Sequence, residues 1–272
     1  MSRETDAAID CHAHIFTHAT ALNDDAWIKP KSQASIDQYR CELKKFGIRR
    51  AVLAASSLHA GGNAYAMSVT RADQDIRTTI IVTPDITLDR LREYDRSGVC
   101  GIRLQLRNKN IPDLRSAAYQ RLFRRLAGLG WHVQLHDDSH RLPPVIDTIE
   151  AAGAPLVIDH FGRPGPAGTR DAGFRAVLEA VGRGRTWVKI SAAFRLPTPE
   201  LDRSLADALL DVRGPDRILW GSDWPFIGFE ERMEYEQAVS HFVRAVPNAA
   251  TRAAIHDTAR RLYFGKPSPG DE

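Results

Sequence analysis

The sequence predicts an α/β chain folded as a (β/α)8 TIM barrel, and three observations point there. Eight short apolar runs recur along the 272 residues, amphipathic stretches separate them, and no glycine-rich phosphate fingerprint opens a helix. The runs are Ala8–Cys11, Ala51–Ala55, Thr79–Val82, Gly101–Leu106, His132–Leu135, Leu156–Ile158, Trp187–Ile190 and Ile218–Trp220. Each is short and suits a strand. Between them, Ile36, Tyr39, Leu43 and Phe46 recur at helical spacing and stop at Gly47. Leu88, Leu91 and Tyr94 do the same before Gly98; Leu122, Phe123, Leu126 and Leu129 before Gly130; and Leu201, Leu205, Leu209 and Val212 before Gly214. Glycine just past the last apolar position is the expected helix stop. We expect a single domain over residues 1–272, with a last helix at about 249–264 and a flexible tail over 267–272.

Composition excludes several function classes. Hydrophobic residues make up 43% and charged residues 26%, as in a soluble globule. A net charge of +3 is too small to argue for nucleic acid, and arginines such as Arg121, Arg124 and Arg125 read as a solvated helix face. No apolar run approaches the ~18 residues of a membrane span, and the first residues lack the apolar core of a secretory leader. The expectation is a cytoplasmic protein that touches neither membrane nor nucleic acid, a monomer or homodimer. Cys11, Cys41 and Cys100 match no zinc or redox spacing and are expected to be free thiols. Strand alternation points Cys11 away from His12, into packing.

Chemistry in such a barrel sits at the carboxyl ends of the strands. The first strand ends in His12 and His14, which at i and i+2 project from one face as two adjacent imidazoles. Such a pair suits a divalent metal or a polarised carbonyl. Ser56, Ser57 and His59 follow the second strand, then Gly61-Gly62-Asn63. The fourth carries Arg103 and Gln105, with Arg107 and Lys109 beyond; the fifth carries Gln134 and ends at His136. The sixth ends at Asp159-His160, the seventh at Ser191 with Arg195 shortly after, and the eighth at Ser222-Asp223-Trp224-Pro225. Polar groups stand at every strand end but the third. A buried guanidinium needs an anion, so Arg103 meets either an internal carboxylate or that of a substrate, and Arg195 reads the same way. Arg107 and Lys109 add positive charge, Ser57 could bind a carboxylate or close a turn, and Trp224 is placed near the mouth, as a residue that could line the pocket. His18, His132, His140, His241 and His256 read as surface or packing residues, and Trp131, Trp187 and Trp220 as core.

Asp-Cys-His-Ala-His (10–14), Ile-Asp-His-Phe-Gly-Arg-Pro (158–164) and Leu-Trp-Gly-Ser-Asp-Trp-Pro (219–225) resemble the amidohydrolase superfamily, more narrowly its 2-pyrone-4,6-dicarboxylate hydrolase-like lactonase branch. Gly-Ile-Arg-Leu (101–104) and Val-Lys-Ile-Ser (188–191) with Phe-Arg-Leu (194–196) fit that branch as well. The resemblance implies hydrolysis of an anionic, carboxylate-bearing lactone, as in aromatic degradation. Asp223 would be the general base, His12, His14 and His160 would polarise the carbonyl, and Ser57, Arg103, Arg107, His136 and Arg195 would bind substrate. Relatives across the superfamily use such histidines and the last-strand aspartate as metal ligands, and His12, His14, His136, His160 and Asp223 form such a set here. The pyrone branch is expected to need no metal, but it carries tyrosine where this chain has His136. The expectation is no obligatory metal, with one zinc or manganese ion as the alternative. Phe226, where relatives often carry histidine, and the Gly61-Gly62-Asn63 turn suggest a substrate other than the pyrone dicarboxylate, such as a sugar-acid lactone or a muconolactone. The rival activities are metal-dependent decarboxylation and lactone isomerisation.

Overall fold

The computed structural model describes residues 8–59 and 63–265. Eight strands lie in chain order in one sheet: β1 (Ile9–Ala13), β2 (Arg50–Leu53), β3 (Ile76–Ile80), β4 (Val99–Gln105), β5 (His132–His136), β6 (Leu156–Ile158), β7 (Thr186–Ser191) and β8 (Ile218–Gly221). Neighbours pair in parallel throughout. The connecting helices are α1 (Ile36–Lys45), α2 (Asn63–Ala72), α3 (Leu88–Arg96), α4 (Ala117–Leu129), α5 (Leu142–Ala151), α6 (Ala172–Arg183), α7 (Leu201–Arg213) and α8 (Tyr235–Ala245). A ninth, α9 (Ala249–Phe264), has the bounds the sequence predicts. Together they form the expected (β/α)8 barrel. Among the described residues no helix is long and apolar enough to cross a membrane. The three cysteines are free. The predicted flexible tail and the Gly61-Gly62 turn lie outside the described residues.

The helices begin and end where local chemistry says they should. Ser35 caps α1 by accepting from Gln38 N while the Gln38 side chain returns to the Ser35 backbone, a complete capping box. Gly130 ends α4 at φ +66°, a left-handed position that costs glycine nothing.

The seam between β1 and β8 closes the barrel. His14 N donates to Trp224 O and Asp223 N to His12 O, both at 2.8 Å. Asp10, fully buried, staples the same seam: Oδ1 accepts from His12 N (3.0 Å) and Ser222 N (2.9 Å). Its Oδ2 accepts from Ser222 Oγ (2.6 Å) and from Tyr235 Oη of α8 (2.8 Å). Burial pushes the Asp10 carboxyl pKa up, and these four donors pull against it.

Two details differ from the sequence expectation. β3 forms at Ile76–Ile80, upstream of the predicted run, because its threonines find partners inside the sheet. Thr78 Oγ1 donates to Leu53 O (3.1 Å) and Thr79 Oγ1 to Gln134 Oε1 (3.0 Å). Ile81 and Val82 pass beyond the strand. In β1 the register shifts between Asp10 and Ala13, which pair with Ala51 and Leu53. One extra residue bulges there, so strict alternation does not orient Cys11. Its packing role holds nonetheless: Cys11 is buried with Val52, Val157 and Leu219 inside the barrel, above Ala259 and Tyr263 of α9. Burial pushes the thiol pKa up, away from the reactive thiolate.

The helical layer is packed tightly. A Cβ on Gly173 in α6 would lie 2.0 Å from Ser139 O. Gly173→Ala is therefore expected to destabilise the protein by about 1–3 kcal/mol. Urea denaturation should show a lower midpoint at an unchanged slope.

Candidate active site

The barrel mouth brings His12, His14, His160 and Asp223 into one cluster. His12 Nε2 lies 3.3 Å from His14 Nε2 and 3.5 Å from Asp223 Oδ1. Asp223 Oδ1 is also 3.6 Å from His14 Nε2 and 3.8 Å from His160 Nε2. Its other oxygen, Oδ2, accepts from Arg195 Nε at 2.7 Å. Backbone conformation aims these groups. His160 (φ +53°), Arg163 (φ +49°), Ala192 (φ +53°) and Asp223 (φ +67°) all hold left-handed positions just past β6, β7 and β8. Each costs on the order of 1–3 kcal/mol in a non-glycine residue and concentrates where function needs it.

Each imidazole is held from behind. His14 Nδ1 bonds Ala54 O at 2.8 Å, which places its proton on Nδ1 and leaves Nε2 as an acceptor facing the centre. His160 Nδ1 pairs with Ser191 Oγ at 2.8 Å. His12 Nδ1 lies 3.2 Å from both Asp159 Oδ1 and Lys189 Nζ. Burial holds His12 well below the ordinary imidazole range despite Asp159. Burial likewise pushes His160 down to about 3 against the pull of Asp223. Burial alone would raise the Asp223 carboxyl, but Arg195, followed by His160, outweighs it and holds the pKa well below the usual range. The site thus presents the neutral imidazoles of His12 and His160 beside an ionised carboxylate.

Beneath this cluster lies a polar floor in which sequence reasoning assigns a role only to Arg103. Asp159 Oδ2 accepts from Arg103 Nε (3.3 Å) and Nη2 (3.2 Å), and Gln134 Nε2 is 2.9 Å from both its oxygens. Lys189 Nζ, fully buried, lies 3.3 Å from Asp159 Oδ1. The legible signal was Lys189 itself, a lone charge inside the apolar run Val188–Ile190. Arg103 therefore has an internal partner, with Nη1 donating to Ala55 O at 2.8 Å, and it still lines the cavity.

A cavity of about 300 Å³ stands over the cluster, lined among others by Ser57, Arg103, Arg107, His136, Arg163 and Arg195. Arg107 Nε (3.1 Å) and Arg163 Nε (2.9 Å) share Asp138 Oδ1, so two cations face one anion at this rim. Arg163 is a site residue that sequence reasoning did not single out, although it stands in the quoted 158–164 motif. Lys109, read as part of the cationic pocket, is instead paired with Asp25 at 2.7 Å. Trp224 does not line this cavity: it stacks on Tyr39 with ring centroids 5.0 Å apart. The tryptophan at the mouth is Trp27, from the loop after β1.

His12, His160 and Asp223 each offer a ligand atom within 4.8 Å of the others. Such a donor set, with carboxylate, carbonyl or hydroxyl groups behind the imidazoles, fits a single divalent ion. His14 stands at its edge. His136 is not brought into that group: its Nδ1 faces Gln105 Oε1, and its ring meets His160 edge-on at 5.1 Å. Burial, then His160 and Arg103, hold His136 well below the ordinary imidazole range.

Comparisons with known proteins agree with this fold. The chain is 29% identical over 273 residues to the 4-sulfomuconolactone hydrolase of Rhizobium radiobacter, covering 94% of this chain and 89% of that protein. A solved Pseudomonas putida structure, assigned as a 2-pyrone-4,6-dicarboxylic acid hydrolase, matches with a TM-score of 0.89 at 34% identity, covering 96% of this chain and 98% of that one. An Acinetobacter baumannii structure with the same assignment matches with a TM-score of 0.89 at 26% identity, over 96% and 100% of the two chains, and holds citric acid. The family model described as amidohydrolase matches residues 9–265, from the first strand to the end of the last helix, and the chain belongs to that family.

Proposed function

We propose that this chain hydrolyses a carboxylate-bearing lactone, with Asp223 as general base. The observation that carries this reading is the split role of the Asp223 carboxylate: one oxygen is held by Arg195, the other faces three imidazoles at the floor of a cation-rimmed cavity. The names of the related hydrolases and the citrate held by one neighbour support it.

Asp223 takes a proton from water, and the hydroxide equivalent attacks the ring carbonyl. Ser191, donating its hydroxyl proton to His160 Nδ1, leaves the His160 Nε2 proton aimed at the centre, where it stabilises the tetrahedral oxyanion. His12 stands beside His160 in the same wall, while His14, whose Nε2 accepts, can orient the attacking water. Collapse of the intermediate breaks the ring C–O bond, and Asp223 returns its proton to the leaving oxygen. The substrate carboxylate is held by Arg107 and Arg163, which outnumber Asp138, with Ser57, Arg103 and His136 along the cavity wall. In this reading no metal is obligatory.

One observation favours a second reading. His14, with its proton on Nδ1, points a lone pair at the centre. A zinc or manganese ion held by His12, His160 and Asp223 would supply Lewis acidity there.

Three outcomes are expected. Asp223→Asn should lower kcat about 10²–10⁴-fold on a panel of lactone acids, measured by acid release, with binding of an unreactive analogue retained. If wild-type protein opens no lactone of the panel, the reading fails. Arg195→Met removes the cation nearest Asp223, so the carboxyl pKa should rise; the base form is then lost at higher pH, and the acid limb of the kcat–pH profile should move upward. Protein purified without chelator should keep its activity after exhaustive dialysis against chelator. One equivalent of zinc or manganese by elemental analysis, required for turnover, would favour the second reading instead.

A further inference from the structure

The third strand ends in a run of aliphatic residues. β3 runs out into Ile80-Ile81-Val82, and Ile81 is 36% exposed at the barrel mouth. Ile81 and Val82, with Leu104, Leu106, Pro112 and Tyr119, line a second cavity of about 550 Å³. It adjoins the catalytic cavity: Ser56, Ser57, Arg103 and Gln105 line both. The catalytic cavity, at about 300 Å³, is at the small end of ligand pockets, which run from about 300 to 1,000 Å³. A single lactone ring with its carboxylate suits it, and the adjoining lobe remains for whatever the ring carries.

Several of the polar groups that line that lobe are engaged with one another. Lys109 Nζ is bound to Asp25 Oδ2 at 2.7 Å, Ser56 Oγ lies 3.2 Å from His59 Nδ1, and Asn23 Nδ2 donates to Ser57 O at 2.8 Å. Both cations that line the lobe, Lys109 and Arg103, already face carboxylates, so nothing there demands a second anion, and Ile81, Val82 and Leu104 offer a chain of hydroxyls no hydrogen bond. Apolar surface held open beside a catalytic cavity is a binding signal.

The geometry points to a subsite for an uncharged aliphatic or aromatic substituent on the lactone ring. This rests on the lactone-hydrolase reading of the neighbouring cavity. The substrate lies with its carboxylate toward Arg107 and Arg163, its carbonyl over Asp223, and its substituent past Ser57 and Arg103 into the second lobe. The chain would then prefer arylated or alkylated lactone acids to polyhydroxylated ones.

The test uses two pairs of compounds with the full chain. One pair is 5-oxotetrahydrofuran-2-carboxylate and its 3-phenyl derivative, followed by acid release. The other is the inert ethers tetrahydrofuran-2-carboxylate and its 3-phenyl derivative, followed by calorimetry. The phenyl group is expected to raise kcat/KM and to lower Kd by about tenfold, or about 1.4 kcal/mol. Ile81→Asp and Tyr119→Ala, both away from the reacting atoms, should each remove most of that gain and leave the unsubstituted compounds unchanged. Equal Kd for the two ethers on the wild-type protein overturns the subsite. So does a phenyl gain that survives both substitutions, since the ring is then bound elsewhere. If neither lactone is opened but the ether gain is present and lost in the variants, the hydrolase reading falls and the subsite stands.

Discussion

The buried carboxylate of Asp159 is the interaction on which the site depends. It joins five strands at one point: Arg103 from β4, Gln134 from β5, its own position after β6, Lys189 from β7, and His12 from β1. Burial would raise its pKa, but Lys189, then His12 and Arg103, outweigh it and hold the carboxyl well below the usual range. Removing the carboxylate would leave Arg103 and Lys189 as charges in a dry interior without their partner, which is far costlier than the net worth of the pair. Such a network specifies one arrangement of the barrel interior, because partial satisfaction is worse than none. His12 is held at the top of this network, and through it the whole mouth is referenced to the floor.

The site above is organised by opposition between burial and charge. Burial drives the imidazoles of His12, His136 and His160 toward the neutral form, while Arg195 keeps Asp223 ionised. Neutral imidazoles can donate or accept according to what holds their second nitrogen. Ala54 O decides that for His14, and the Ser191 hydroxyl is the corresponding handle on His160. Which imidazole faces the centre as donor or as acceptor is therefore set by residues behind the ring. The left-handed backbone at Asp223 and His160 shows the same division of labour, with local strain accepted to aim a side chain and the surrounding core holding it there.

The cavity's two characters follow from which strand ends carry charge. β4 and β6 deliver Arg103, Arg107 and Arg163, whereas β3 delivers aliphatic side chains. In the proposed reading a cationic grip and an apolar lobe meet at Ser57, Arg103 and Gln105. Discrimination among lactones would come from that junction, since the catalytic groups themselves see only a carbonyl and a water.

Much of this was legible in the chain. Parallel strands buried on both faces must be apolar runs, so their number and the helical spacing between them determined the barrel. Strand-end polar residues determined the location of the chemistry, and His12, His14, His160 and Asp223 do converge. What the linear pattern could not hold was partnership. Arg103 had to meet an anion, but only folding places Asp159, rather than a substrate, against it. The β1 bulge defeated alternation at Cys11, and Trp27 rather than Trp224 reached the mouth, because loop geometry is set by contacts remote in sequence. His136 completed a ligand set on paper, yet its ring is turned to Gln105 and stands outside the cluster. Residue types and spacing fix which groups are available at the mouth. Only the tertiary structure decides which of them are spent on each other and which are left for a ligand, because in a buried site every charge and donor must be satisfied by whatever the fold brings within about 3 Å.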